Sequence, residues 1–142
     1  MAIEENISCF ACGSANPIGL GVVFRSAGEG VCADYTPSCW HQGYDGVVHG
    51  GLIATVLDEA MAHALIARGI PAVTARMSLR YHAPLALGVT AQVTAWVDAA
   101  RGRLAETRAE IRAGGRLIAE AEAVFALPRD QARPERRGVD DG

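Results

Sequence analysis

The chain has 142 residues, 50% of them hydrophobic and 20% charged, with a formal net charge of -3. That length suits one globular domain able to bury most of its apolar surface, and the acidic balance excludes the basic footprint expected of a partner for nucleic acid or an anionic membrane. Met1 to Glu5 shows no positive region leading into an apolar core, so the expected compartment is the cytoplasm, with the four cysteines reduced.

Residues 1–20 carry Cys9, Cys12, Gly13, Asn16, Pro17 and Gly19, a composition for an irregular arm, with Phe10, Ile18 and Leu20 as its apolar anchors. Short strands are predicted from Gly21 to Ser26 and from Val31 to Thr36, joined by the hairpin residues Ala27-Gly28-Glu29-Gly30. A loop from Pro37 to Val48 holds Trp40, His41 and Gln42, and loops of this length in a small domain are often functional. One long helix starts at Gly50 and stops near Gly69-Ile70-Pro71. Asp58, Glu59, His63 and Arg68 interrupt it at depths a bilayer would penalise, so it reads as a core helix.

After the helix, Val73, Ala75, Met77, Leu79 and Tyr81 alternate with Thr74, Arg76, Ser78 and Arg80, a strand closed by Pro84. Val89 to Asp98 alternates in the same way. The stretch from Arg103 to Ala126 is rich in helix formers. Against that, Gly114-Gly115 is a hairpin signal, and Leu117, Ala119, Ala121, Ala123 and Phe125 recur at every second position, so strands are predicted. Residues 128–142 have no apolar anchor until Val139 and are predicted to be a disordered tail, which leaves 21–127 as the folded domain. The fold class is α+β, an antiparallel sheet whose apolar face wraps one long helix.

Asp58 is the most informative residue of that helix. Helical winding surrounds it with Ala54, Thr55, Met61, Ala62 and Leu65. A carboxylate there loses hydration, its pKa rises, and catalysis explains the cost more economically than structure does.

The run Gly46-Val47-Val48-His49-Gly50-Gly51-Leu52-Ile53-Ala54-Thr55-Val56-Leu57-Asp58-Glu59-Ala60-Met61 resembles the signature of hotdog-fold acyl-CoA thioesterases of the PaaI type. Cys9-Phe10-Ala11-Cys12-Gly13, with Asn16-Pro17-Ile18-Gly19-Leu20, is similar to the N-terminal motif of one subgroup, and Val73 to Met77 and Tyr81 to Pro84 extend the likeness over about Cys9 to Leu127. The resemblance implies a hotdog fold, an acyl-CoA substrate, a homodimer or a tetramer built from dimers, and no cofactor. It also implies Asp58 as nucleophile or general base, with Thr74 beside it.

Thioester hydrolysis needs an activated nucleophile and donors aimed at the developing oxyanion. The unpaired amides of Gly50 and Gly51 at the positive end of the helix supply such donors, Gly50 being the main one. Gly50 and Asp58 are eight residues apart, about 12 Å along the axis, too far for one carbonyl to meet both. The expected site therefore pairs the helix start of one protomer with Asp58 of another.

Glu59 is the rival acid and a candidate substrate contact, and His49 is expected near the thioester. Gln42 stands where some relatives have an asparagine before the His-Gly-Gly turn. Arg76 is a candidate for the coenzyme A phosphates, and Met61 for the acyl group. Cys9 and Cys12, completed by Cys39 or His41, have the donor types of a structural zinc site, but one C-x-x-C is a weak signal and no metal is assigned to the chemistry. Two rivals to hydrolysis are an acyl-thioester hydratase or dehydratase with His49 carrying the proton, and a non-catalytic acyl-CoA binder.

Overall fold

Ile53, Val56, Leu57, Ala60, Met61, Ala64 and Leu65 recur at helical spacing. In the computed structural model, which describes residues 7–128, they form the buried stripe of a helix, α1, over Gly50–Ile66. His49 caps its first turn through the side chain. Its end is closed by Gly69 at a φ of +70° and by the Ile70 N–H, which donates to the Leu65 carbonyl at 3.0 Å.

Six strands surround that helix: β1 (Arg25–Ala27), β2 (Gly30–Tyr35), β3 (Val73–Tyr81), β4 (Ala91–Arg101), β5 (Leu104–Ala113) and β6 (Arg116–Ala126). They form one antiparallel sheet in the order β1-β2-β4-β5-β6-β3, which leaves β3 as a free edge. The inner face of the sheet carries Ala91, Ala95, Ala105, Ala109, Ala119, Ala121 and Ala123, all buried, with Val93, Ile111 and Phe125 between them. The small side chains leave room for Leu57, Met61 and Leu65, each 1% exposed or less. Burying a side chain of that size contributes about 1.5–3 kcal/mol. The predicted hairpin within 103–126 is β5–β6, and both turn glycines, Gly114 and Gly115, have positive φ, as a tight two-residue turn requires.

Three expectations are corrected. The first strand, expected from Gly21 to Ser26, is only Arg25–Ala27, because Gly21 has a φ of +64° and the Val22 N–H donates to the Ala11 carbonyl, tying this stretch to the arm. Within the arm, Ala11 is buried and Leu20 packs on the core, whereas Ile18 is 76% exposed and anchors nothing. The strand after the helix does not alternate throughout. A bulge between Thr74 and Arg76 pairs Thr74 with the core residue Phe125, so Thr74 shares the inner face with Met77 and Leu79. Of the expected tail at 128–142, all but Pro128 lies outside the described residues.

Candidate active site

Asp58 lies at the margin of the buried stripe of α1, half-buried, rather than within it. The Thr74 hydroxyl donates to Asp58 Oδ1 at 2.6 Å. Burial pushes the Asp58 carboxyl above its ordinary pKa; the Thr74 hydrogen bond works against that shift and the neighbouring Glu59 charge adds to it. The outcome is an acid with reduced hydration and one fixed oxygen.

At the start of the helix, His49 Nδ1 accepts the Gly51 N–H at 2.8 Å. That nitrogen carries no proton, so the imidazole holds its proton on Nε2. Of the two glycine amides, Gly51 is therefore consumed by the cap, while the Gly50 N–H has no hydrogen-bond partner among the described residues. Tyr81, which the sequence offered only as a possible contact for the acyl group, has a role at the helix start that sequence reasoning missed. Its hydroxyl donates to the Gly50 carbonyl at 2.7 Å and its ring lies where a β-carbon on Gly50 would meet it at 3.6 Å, so the end of β3 braces the first turn of α1. A tyrosine just before His82-Ala83-Pro84 at the strand end was the only available signal.

The other candidates divide. Gln42 Oε1 accepts the Gly46 N–H at 2.9 Å and shapes the loop before the helix. Arg76 lies on the outer face of the sheet, lining a cavity of about 300 Å3 with Ser78, Arg108 and Glu122, away from Asp58. That outer groove is highly charged and contains none of the residues at the helix start. Met61 is fully buried beneath the sheet.

Glu59 turns to the arm. Its Oε1 accepts from Cys12 Sγ at 2.9 Å and from Cys9 Sγ at 3.5 Å, and it lies 3.3 Å from His63 Nε2. Burial opposes its ionisation, but His63 and the two thiols outweigh burial and hold the Glu59 pKa below the ordinary value, while burial and Glu59 push the Cys12 thiol well up. Neither Cys39 nor His41, the two residues left open as partners for Cys9 and Cys12, joins that pair. His41 Nδ1 is engaged by Tyr35 Oη at 3.0 Å and by the Ser38 N–H at 3.2 Å, and burial lowers its pKa. Cys39 is exposed in the 3-10 turn Cys39–His41.

The thioesterase superfamily model matches residues 45–120, just over half of the chain, and the chain belongs to that superfamily. An 84-residue stretch, 56% of the chain, is 37% identical to human acyl-coenzyme A thioesterase 13 and spans 60% of that protein's length. Among solved structures, a thioesterase superfamily protein aligns with a TM-score of 0.80 at 29% identity, covering 84% of this chain and 60% of that one. A mutant of the phenylacetic acid degradation protein PaaI from Thermus thermophilus aligns at 0.69 and 29% identity, covering 76% of this chain and 95% of that one. The one-helix, six-stranded architecture is thus the hotdog fold of this superfamily, as the sequence motifs implied. No helix among the described residues is long and apolar enough to cross a membrane.

Proposed function

We propose that the protein hydrolyses acyl-CoA thioesters to coenzyme A and a carboxylic acid, with Asp58 activating water or attacking the carbonyl carbon directly. The observation that carries this reading is the Asp58–Thr74 pair: a half-buried carboxylate, hydrogen-bonded on one oxygen by a hydroxyl and otherwise available at the surface of the helix. The superfamily membership and the likeness to an acyl-coenzyme A thioesterase favour this substrate class.

In the reaction, the Asp58 carboxylate takes a proton from water as the hydroxyl oxygen bonds to the thioester carbon, or bonds to it itself. The carbonyl oxygen becomes the oxyanion and is met by the Gly50 N–H at the positive end of α1. Collapse of the tetrahedral adduct breaks the carbon–sulfur bond and releases the thiolate, which takes up the proton gained by Asp58; on the direct route collapse leaves a mixed anhydride on Asp58, which water then hydrolyses to the free acid and the restored carboxylate. Eight residues separate the two groups on one helix, about 12 Å. The reading therefore places each site between two protomers, Asp58 from one and Gly50 from the other, related by a two-fold axis. The edge of β3, which carries both Thr74 and Tyr81, has no strand beyond it among the described residues, which leaves it open to such a partner. Hydration or dehydration is less well supported, because His49 Nδ1 is committed to capping the helix.

Thiol release from a panel of aryl and aliphatic acyl-CoAs tests the reaction. Asp58→Asn should cost about 10²–10⁴-fold in kcat. Release of thiol at the wild-type rate by Asp58→Asn, or binding of every acyl-CoA without hydrolysis, would remove the assignment.

A further inference from the structure

One acidic side chain next to Asp58 has a separate environment. Three groups from two distant parts of the chain converge on Glu59 Oε1: Cys12 Sγ at 2.9 Å, Cys9 Sγ at 3.5 Å and His63 Nε2 at 3.3 Å. We propose that Cys9, Cys12, Glu59 and His63 bind a zinc ion that pins the N-terminal arm to α1, a structural site distinct from the chemistry at Asp58.

The geometry is close to what the metal demands. The donor atoms of Cys9, Cys12 and Glu59 all lie within 4.8 Å of one another. A tetrahedral zinc, with sulfur at about 2.3 Å and oxygen or nitrogen at about 2.0–2.2 Å, separates its ligands by roughly 3.3–3.8 Å. The Cys9–Glu59 and His63–Glu59 separations already fall in that range; Cys12 has to draw back from Glu59, and His63, which touches the group through Glu59 alone, has to swing toward the two sulfurs to become the fourth ligand.

The backbone around the thiols has the form of a metal knuckle. The Cys12 N–H points at Cys9 Sγ at 3.5 Å, an arrangement that stabilises a thiolate, and the Gly13 N–H closes the turn on the Cys9 carbonyl at 2.9 Å. Only glycine fits at position 13, since a β-carbon there would overlap the backbone of Cys9 and Ile7.

His63 supplies an independent observation. Its Nε2 is buried and has no aligned hydrogen-bond partner, although Glu59 Oε1 lies 3.3 Å away. A buried ring nitrogen without a partner is costly, and a cation held between it and the carboxylate would satisfy it. The ring is held by stacking on Phe24, with centroids 4.5 Å apart, and by its place one turn after Glu59 on the same helix face. Two thiolates with an imidazole and a single carboxylate select zinc over magnesium or calcium, and the two thiol protons leave to solvent as the metal binds.

The test uses the full chain, purified under reducing conditions without added metal. Elemental analysis should find about one zinc per chain, and replacement by Co2+ should give the intense near-ultraviolet band of thiolate-to-cobalt charge transfer with tetrahedral d–d bands. Cys12→Ser and Glu59→Gln should lose the metal, His63→Gln should weaken zinc affinity about 10–100-fold, and Cys39→Ser should retain full stoichiometry. Removing the metal by chelation should lower the melting temperature of the wild type and leave that of Cys12→Ser unchanged. Wild-type protein that holds no stoichiometric metal and takes up neither Zn2+ nor Co2+ at micromolar concentration would overturn the proposal. So would a cobalt spectrum without thiolate bands. Both readouts are made on the wild type and stand even if a variant fails to fold.

Discussion

Thr74 Oγ1 lies 2.6 Å from Asp58 Oδ1, joining the edge strand β3 to the outward margin of α1. The bulge between Thr74 and Arg76 makes this contact possible, since regular alternation would carry the Thr74 side chain to the outer face with Ser78 and Arg80. An extra residue in the strand thus sets the orientation of the acid. The hydroxyl fixes one carboxylate oxygen and leaves the other for water or substrate.

Thr74→Val keeps the shape of the side chain and removes the donor. A hydrogen bond to a charged group contributes about 1.5–3 kcal/mol, so kcat should fall by roughly 10–100-fold. If Thr74 acts by positioning Asp58, KM stays near its wild-type value and Thr74→Ser restores most of the rate. A rise in KM with kcat unchanged would instead make Thr74 a substrate contact.

Met61 invites a second prediction, because its burial gives it a packing role of its own. It is fully enclosed between α1 and the sheet. Met61→Ala should therefore lower unfolding free energy by about 2–5 kcal/mol in chemical denaturation, while Met61→Leu should cost less than about 1.5 kcal/mol and leave the preference for acyl chain length unaltered. A changed chain-length preference in Met61→Leu at wild-type stability would return this residue to the acyl pocket.

What was legible in the sequence follows from the range of the forces involved. The helix could be read because seven buried residues repeat at helical spacing, and the β5–β6 hairpin because Gly114-Gly115 permits the turn that alanine-rich helix propensity would deny. Asp58 stood out because a carboxylate beside that stripe needs a reason. The facing of Thr74 was not legible in the alternation, since a bulge reverses it without leaving a mark in residue type; only the resemblance set Thr74 beside Asp58. Nor was the convergence of Cys9 and Cys12 on Glu59 and His63. The arm has no periodicity, and its contacts span about fifty residues of chain. Donor type alone pointed instead to Cys39 and His41, which are held by a different loop.

Tyr81 is expected to stabilise the first turn of α1. Its O–H donates to the Gly50 carbonyl at 2.7 Å, so Tyr81→Phe removes one hydrogen bond at the point where the proposed oxyanion donor is presented. The loss should be about 0.5–1.5 kcal/mol in stability. If the bond also holds the Gly50 amide in line, kcat should drop several-fold while binding of a non-hydrolysable acyl-CoA analogue changes less. Equal loss in both would mean that the tyrosine contacts the ligand.

Gly50 offers the sharpest test of a shared site, because its N–H can be deleted without disturbing the helix. It is the first residue of α1, where proline is well tolerated, and His49 has a φ of -63° and a ψ of 130°, compatible with a following proline. Gly50→Pro should keep the far-ultraviolet helix signal and lower kcat by about 10²–10³-fold, the usual cost of one oxyanion donor. Mixing this variant with Asp58→Asn under conditions that exchange subunits then separates two geometries. If each site takes Gly50 from one protomer and Asp58 from its partner, every hybrid dimer contains one intact site and one doubly defective site, and a random mixture recovers about a quarter of wild-type activity. If both groups act within a single protomer, each variant lacks a necessary part and mixing recovers nothing. The 12 Å implied by eight helical residues favours recovery.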